Sequence, residues 1–107
     1  MIVSLAHNIR SPLGMTSAVN YAAVKAGRSM LKRYDGLWGL PGPFVASLMD
    51  RDIVEQAFAE ITDDKPYTYF EKMISLSATK ALNQTDIDPT SDKLLFILST
   101  TKGNVFL

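Results

Sequence analysis

Two short uncharged segments, Ile2-Val3-Ser4-Leu5-Ala6 and Leu94-Leu95-Phe96-Ile97-Leu98, constrain this chain more than any other feature of its sequence. Both are rich in aliphatic residues and lack the alternation that marks a strand with one wet face. Such segments read as strands buried on both sides, as in parallel sheets covered by helices above and below. Helical patterns lie between them, and a right-handed crossover through those helices makes the two strands parallel. The predicted class is α/β, with two mainly parallel strands and about three helices.

The intervening sequence is well punctuated. Asn8, Ser11-Pro12 and Gly14 mark a turn over His7 to Gly14. Thr16 is placed to cap a helix through Ala26, with Val19, Ala22, Ala23 and Ala26 on one stripe. Gly27 stops it, and Lys25 and Arg28 suit the negative end of the helix dipole. Ser29 to Pro43 reads as irregular, because Gly36, Gly39, Pro41, Gly42 and Pro43 fall within eight residues. Its Leu37, Trp38 and Leu40 are expected to pack on a neighbouring element. Asp50 to Ile61 reads as a second helix, with Asp52 and Glu55 spaced as a capping pair. Its face carries Ile53, Ala57 and Ile61, with Val54 and Phe58 beside them. Thr62 to Pro66 ends it.

Thr68 and Glu71 have capping-box spacing and open a third helix to about Gln84. Phe70, Met73, Ile74, Ser77, Ala78, Ala81 and Leu82 give that helix a broad face suited to extensive burial. Asp86 to Thr90 is a polar turn before the second apolar segment, and Ser99 to Gly103 follows it.

Composition removes most self-contained chemistry. The chain has 107 residues, 11 basic and 11 acidic side chains, one His and no Cys. Without Cys there is no disulfide, thiolate-ligated metal, iron–sulfur cluster or thiolate nucleophile. One His excludes a multi-His metal site within the chain. Zero net charge gives no long-range field to hold a polyanion or an anionic membrane, so neither nucleic acid nor membrane is an expected partner. The longest apolar run is far short of the ~20 residues that span a bilayer, and no basic region precedes the first apolar segment. The expected location is cytoplasmic.

Two doubly buried strands need further strands beside them. None is readable after Gly103, and the last residues are Val105-Phe106-Leu107. The pattern reads as the opening of a larger α/β domain, so residues 1–107 are expected to be a partial one.

The order of these features carries a resemblance. Leu5-Ala6-His7-Asn8-Ile9-Arg10-Ser11-Pro12-Leu13-Gly14 is similar to the first strand and Ser-Pro-x-Gly turn of β-ketoacyl-(acyl carrier protein) synthases. Tyr21 to Ser29 resembles the following helix with its Ala-Gly-x-Ser exit. The helix from Thr68 and the segment Leu94 to Gly103 match in place and character. The resemblance covers nearly the whole chain but only the N-terminal part of the family's sequence. It implies a thiolase-like fold, usually dimeric, and a decarboxylative Claisen condensation of acyl and malonyl thioesters in fatty-acid or polyketide synthesis. It also implies an acyl carrier protein as partner of the parent enzyme, and no cofactor. The family's Cys and two His lie downstream of the matched region, so no catalytic, cofactor-binding or metal residue transfers, and this segment alone is expected to be inactive. What transfers are structural turn positions: Pro12, Gly14, Gly27 and Gly103. The turn after the second segment, Ser99-Thr100-Thr101-Lys102-Gly103-Asn104, holds one Gly where many members have several, which marks a divergent branch. The alternative reading is a non-catalytic assembly partner of a ketosynthase-like complex, or a small α/β interaction domain.

Other motifs yield to plainer readings. His7 with Ser11 lacks an orienting acid, so a His at a strand end is preferred to a nucleophile–base pair. Asp86, Asp88 and Asp92 mimic a calcium loop but lack its central Gly and terminal Glu. Thr101-Lys102-Gly103 has the wrong order for a phosphate loop, and Asn83-Gln84-Thr85 is an incidental glycosylation triplet. Trp38 with Tyr34, Leu37 and Leu40 reads as loop packing rather than a groove. Lys25, Arg28, Lys32 and Arg33 read as a solvated face rather than a contact for an acidic carrier protein.

Overall fold

In the computed structural model, which describes residues 1–61 and 66–104, the elements follow one another as α1 (Ser17–Lys25), β1 (Leu31–Tyr34), a 3-10 turn (Leu37–Gly39), β2 (Phe44–Ser47), α2 (Arg51–Ala59) and α3 (Tyr69–Leu82). The chain is thus a small mixed α/β protein with three α-helices, as its sequence predicts, and a two-stranded antiparallel sheet. These elements belong to two units. One is Ile9–Arg51; the other joins Met1–Asn8 to Asp52–Leu107. Of the expected features, the helix break at 62–65 and the apolar residues 105–107 lie outside the described residues.

In the unit Ile9–Arg51, α1 starts where its cap dictates. Thr16 is extended, and its hydroxyl accepts the Val19 N–H at 3.2 Å. The exit is a Schellman motif: Gly27 N–H donates to Val24 O at 3.0 Å and Arg28 N–H to Ala23 O at 2.9 Å. Gly27 reaches the required left-handed backbone at φ +74, which a residue with a Cβ adopts only at a cost. The buried face differs from the predicted stripe. Ala23 is buried, but its companion is the polar Asn20, while Val19 is 50% exposed. Asn20 is drawn inward by backbone carbonyls, which periodicity of apolar residues does not register.

The sheet is the larger correction. β1 and β2 pair antiparallel, with Leu31 opposite Ser47 and Tyr34 opposite Phe44. The stretch that reads as irregular therefore holds one strand and the whole hairpin loop. Its Gly and Pro density marks the loop correctly and masks the strands on either side. The loop turns through left-handed backbone at Gly36, Trp38 and Gly39. Trp38, at φ +59, is the one non-Gly residue in this region among those described. That conformation costs about 1–3 kcal/mol. Stacking offsets it: the indole lies 5.6 Å from the Phe44 ring at 19°, and Tyr34 lies 5.6 Å from Phe44 at 27°. The Trp38 loop thus packs on β2.

In the second unit, α2 buries Val54, 0% exposed, and Phe58, four residues apart. Ile53 and Ile61 are exposed, so the buried stripe is rotated by one position from the predicted one. Phe58 meets Tyr67 edge-to-face at 5.2 Å. Asp52 sits within the first turn of α2, and Glu55 pairs with Lys72 of α3 at 2.7 Å, so the two do not form the expected capping pair. α3 begins with the predicted capping box at Thr68 and Glu71 and buries Leu76. Its other apolar residues are half-buried, less than their breadth suggests. The Asp86–Thr90 turn is present, with the Asp88 carboxylate accepting both the N–H and the hydroxyl of Thr90.

Neither Ile2–Ala6 nor Leu94–Leu98 is a strand. The expected parallel pair is absent among the described residues, and Ile97 is 86% exposed. A strand exists only when a second backbone pairs with it, and neither segment finds one. What holds the first segment is its exit: Asn8 Nδ2 donates to Ser77 Oγ at 2.9 Å, and Gln84 Nε2 donates to the His7 carbonyl at 3.1 Å.

Candidate functional site

The turn Ser11–Gly14 is closed by two reciprocal backbone bonds, Ser11 N–H to Gly14 O at 2.9 Å and Gly14 N–H to Ser11 O at 3.0 Å. Pro12 fixes φ at the first corner. Gly14 is required by close approach, since a Cβ there would lie 2.3 Å from Val19 Cγ1. The buried carboxamide of Asn20 organises the whole turn. Its Nδ2 donates to the carbonyls of Ile9, Gly14 and Thr16 at 3.0, 3.1 and 2.7 Å, and its Oδ1 accepts the Ser11 hydroxyl. Ser11 Oγ also accepts the Leu13 N–H at 3.1 Å. The Ser11 hydroxyl is thus engaged as a structural group. His7 belongs to the other unit.

The second polar cluster sits at the N-terminus of α3. Thr68 Oγ1 accepts the Glu71 N–H at 3.2 Å and donates to Asn104 Oδ1 at 2.6 Å. Glu71 Oε2 accepts the Thr68 N–H at 2.8 Å, and Oε1 accepts Asn104 Nδ2 at 3.2 Å. The Thr68 backbone donor, then the Asn104 amide, hold the Glu71 carboxyl below its ordinary range. Asn104 follows Gly103 in a bend where Thr100 Oγ1 accepts the N–H groups of Gly103 and Lys102. Gly103 itself lies at φ +61. The capping box was legible from spacing. Asn104, 33 residues from Glu71, was not, because nothing local to Asn104 signals its partner.

Beside this clasp lies an open groove of about 630 Å³, lined by Tyr67, Phe70, Ile74 and Leu98 with Glu71 and Asn104. Both Glu71 oxygens are engaged, so the carboxylate anchors the turn. The arrangement positions a turn against an apolar wall. It presents no thiol or imidazole.

The remaining candidates resolve into local structure. The Asp88 carboxyl is held low by the Thr90 hydroxyl and N–H, and no group of three His, Cys, Asp or Glu side chains that could hold a metal forms among the described residues. Asn83 caps α3, and Gln84 reaches the His7 carbonyl. Lys25, Arg28, Lys32 and Arg33 are exposed, with Lys25 Nζ 6.0 Å from the Tyr21 ring centre. No helix among the described residues is long and apolar enough to cross a membrane. In comparisons with known proteins, no family model, curated protein or solved structure matches this chain.

Proposed function

We propose that these residues form the N-terminal segment of a β-ketoacyl-(acyl carrier protein) synthase with a thiolase-like fold. The observation that carries the reading is the ordered series of Ser-Pro-x-Gly turn, helix with glycine exit, capped third helix and docked turn after an apolar segment. A second observation supports it. The backbones of residues 2–6 and 95–98 make no hydrogen bond among the described residues, although their side chains are those of buried strands. A larger sheet would absorb both segments.

In such an enzyme this segment supplies scaffold, and the nucleophilic Cys and the two His come from elsewhere in the protein. The Cys takes the acyl group from a carrier-protein thioester, releasing the carrier thiol. Malonyl thioester loses carbon dioxide, and the resulting carbanion attacks the acyl-Cys carbonyl. A carbon–carbon bond forms and the Cys thiolate leaves. The parent works with acyl carrier protein, as a homo-oligomer in the cytoplasm.

A condensation assay with acyl- and malonyl-carrier protein tests this. The complete open reading frame holding these residues is expected to turn over, and the 107-residue chain to show no product. Turnover by the 107-residue chain overturns the assignment. So does a complete protein that lacks both the Cys and the activity, an outcome that identifies a non-catalytic assembly partner.

A further inference from the structure

We propose that the outer edge of β2 is a self-association surface, pairing antiparallel with β2 of a second copy to form a four-stranded sheet. This rests on the hairpin alone and is independent of the synthase reading.

An isolated two-stranded sheet is marginal in water, and a third or fourth strand stabilises it. β2 pairs with β1 on one side only. Beyond that ladder its backbone makes no hydrogen bond among the described residues, so a row of donors and acceptors stands open.

Charge selects both the edge and the occupant. β2 reads Phe44-Val45-Ala46-Ser47, with no charge, Pro or Gly, whereas β1 carries Lys32 and Arg33. A two-fold through β1 would set Lys32 against Lys32, or Arg33 against Arg33, of the second copy, and like charges directly opposite are destabilising. The Ser29 hydroxyl also takes the Leu31 N–H at 3.1 Å. A two-fold through Val45 sets Val45 against Val45 of the second copy and Phe44 against Ala46, with no charge at the seam. The chain's zero net charge adds no long-range repulsion between copies.

The register places Leu31, Arg33, Val45 and Ser47 on one face. Leu31 and Val45 are 63% and 65% exposed there, so pairing extends an apolar stripe across the new sheet. Four residues per strand cover much less than the ~800 Å² per partner of a standard interface, so the association is weak, with Kd on the order of 0.1 mM.

Sedimentation equilibrium of the 107-residue chain tests it. The weight-average mass is expected to rise from 11.8 kDa towards twice that value with concentration. Val45→Lys, at an exposed position that leaves folding intact, should weaken association at least about tenfold. Leu31→Lys, one strand away from the seam, should leave it within about twofold. A constant monomer mass up to roughly 1 mM overturns the proposal. So does a Val45→Lys chain that associates like the parent, including the case where Ile97→Lys abolishes association instead. Equal weakening by Leu31→Lys overturns it as well.

Discussion

The side-chain amide of Asn104 donates to Oε1 of Glu71 across 3.2 Å, tying the turn that follows one apolar segment to the first turn of α3. The same carboxylate closes the helix cap through the Thr68 N–H. One ionised group thus serves the start of a helix and the docking of a distant loop.

That dual use has a pH signature. The Glu71 carboxyl is held below its ordinary value of 4.5, so its contribution to stability is full above that value. It is lost as pH falls through the lowered folded-state value. Asp88, lowered by Thr90, acts in the same direction. Urea midpoints between pH 7 and pH 2 should therefore fall less steeply for Glu71→Gln than for the parent chain. Parallel curves would refute a role for Glu71 ionisation.

Thr68→Ala removes both the N-cap acceptor and the donor to Asn104. A lost cap alone costs about 1 kcal/mol, and the loss of the Asn104 bond adds to it. Urea unfolding followed by circular dichroism should show a destabilisation above that of Thr16→Ala, whose hydroxyl caps α1 and makes no hydrogen bond to a distant loop among the described residues.

Asn20→Ala leaves the Ile9, Gly14 and Thr16 carbonyls and the Ser11 hydroxyl without their shared partner. A destabilisation of about 2–3 kcal/mol is expected, because buried polar groups left unpaired keep their desolvation penalty. Asn20→Asp should do no better, since a carboxylate facing three carbonyls is repelled. A full-strength unfolding midpoint for either variant would show that the turn does not depend on this side chain.

Gly14→Ala places a Cβ into Val19 and is expected to destabilise by about 1–3 kcal/mol. Trimming Val19 to Ala in the same chain should recover most of that loss. Additive effects in the double-mutant cycle would place the problem in the backbone rather than in the contact.

Val54→Ala and Ile53→Ala separate the two possible faces of α2. Val54 is fully buried, so losing two methyl groups costs about 2 kcal/mol with the cavity included. Ile53 is 43% exposed, and its truncation should cost well under half of that. A larger effect at Ile53 would restore the stripe that periodicity suggests.

These residues show where sequence reading succeeds. Thr16, Gly27, Thr68 with Glu71, the Asp86–Thr90 turn and the Ser11–Gly14 turn were all legible, because each makes its bonds within a few residues of itself. The Leu31–Tyr34 and Phe44–Ser47 strands were not. Their loop is dense in Gly and Pro, and their pairing joins residues as far apart as Leu31 and Ser47. Ile2–Ala6 and Leu94–Leu98 failed in the opposite direction: their composition suits a strand, but composition supplies no partner.

By itself, then, the sequence determined the three helices, the N-caps of α1 and α3, the turns and the absence of a thiolate, all of which follow from local hydrogen bonding or from the residues present. Tertiary structure alone decided which apolar segments pair as strands, that Val54 rather than Ile53 faces inward, that Asn20 is buried, and that Asn104 reaches Glu71. A helix satisfies its backbone within its own turn, whereas a strand, a buried face and a long-range clasp each need a surface brought from elsewhere in the chain.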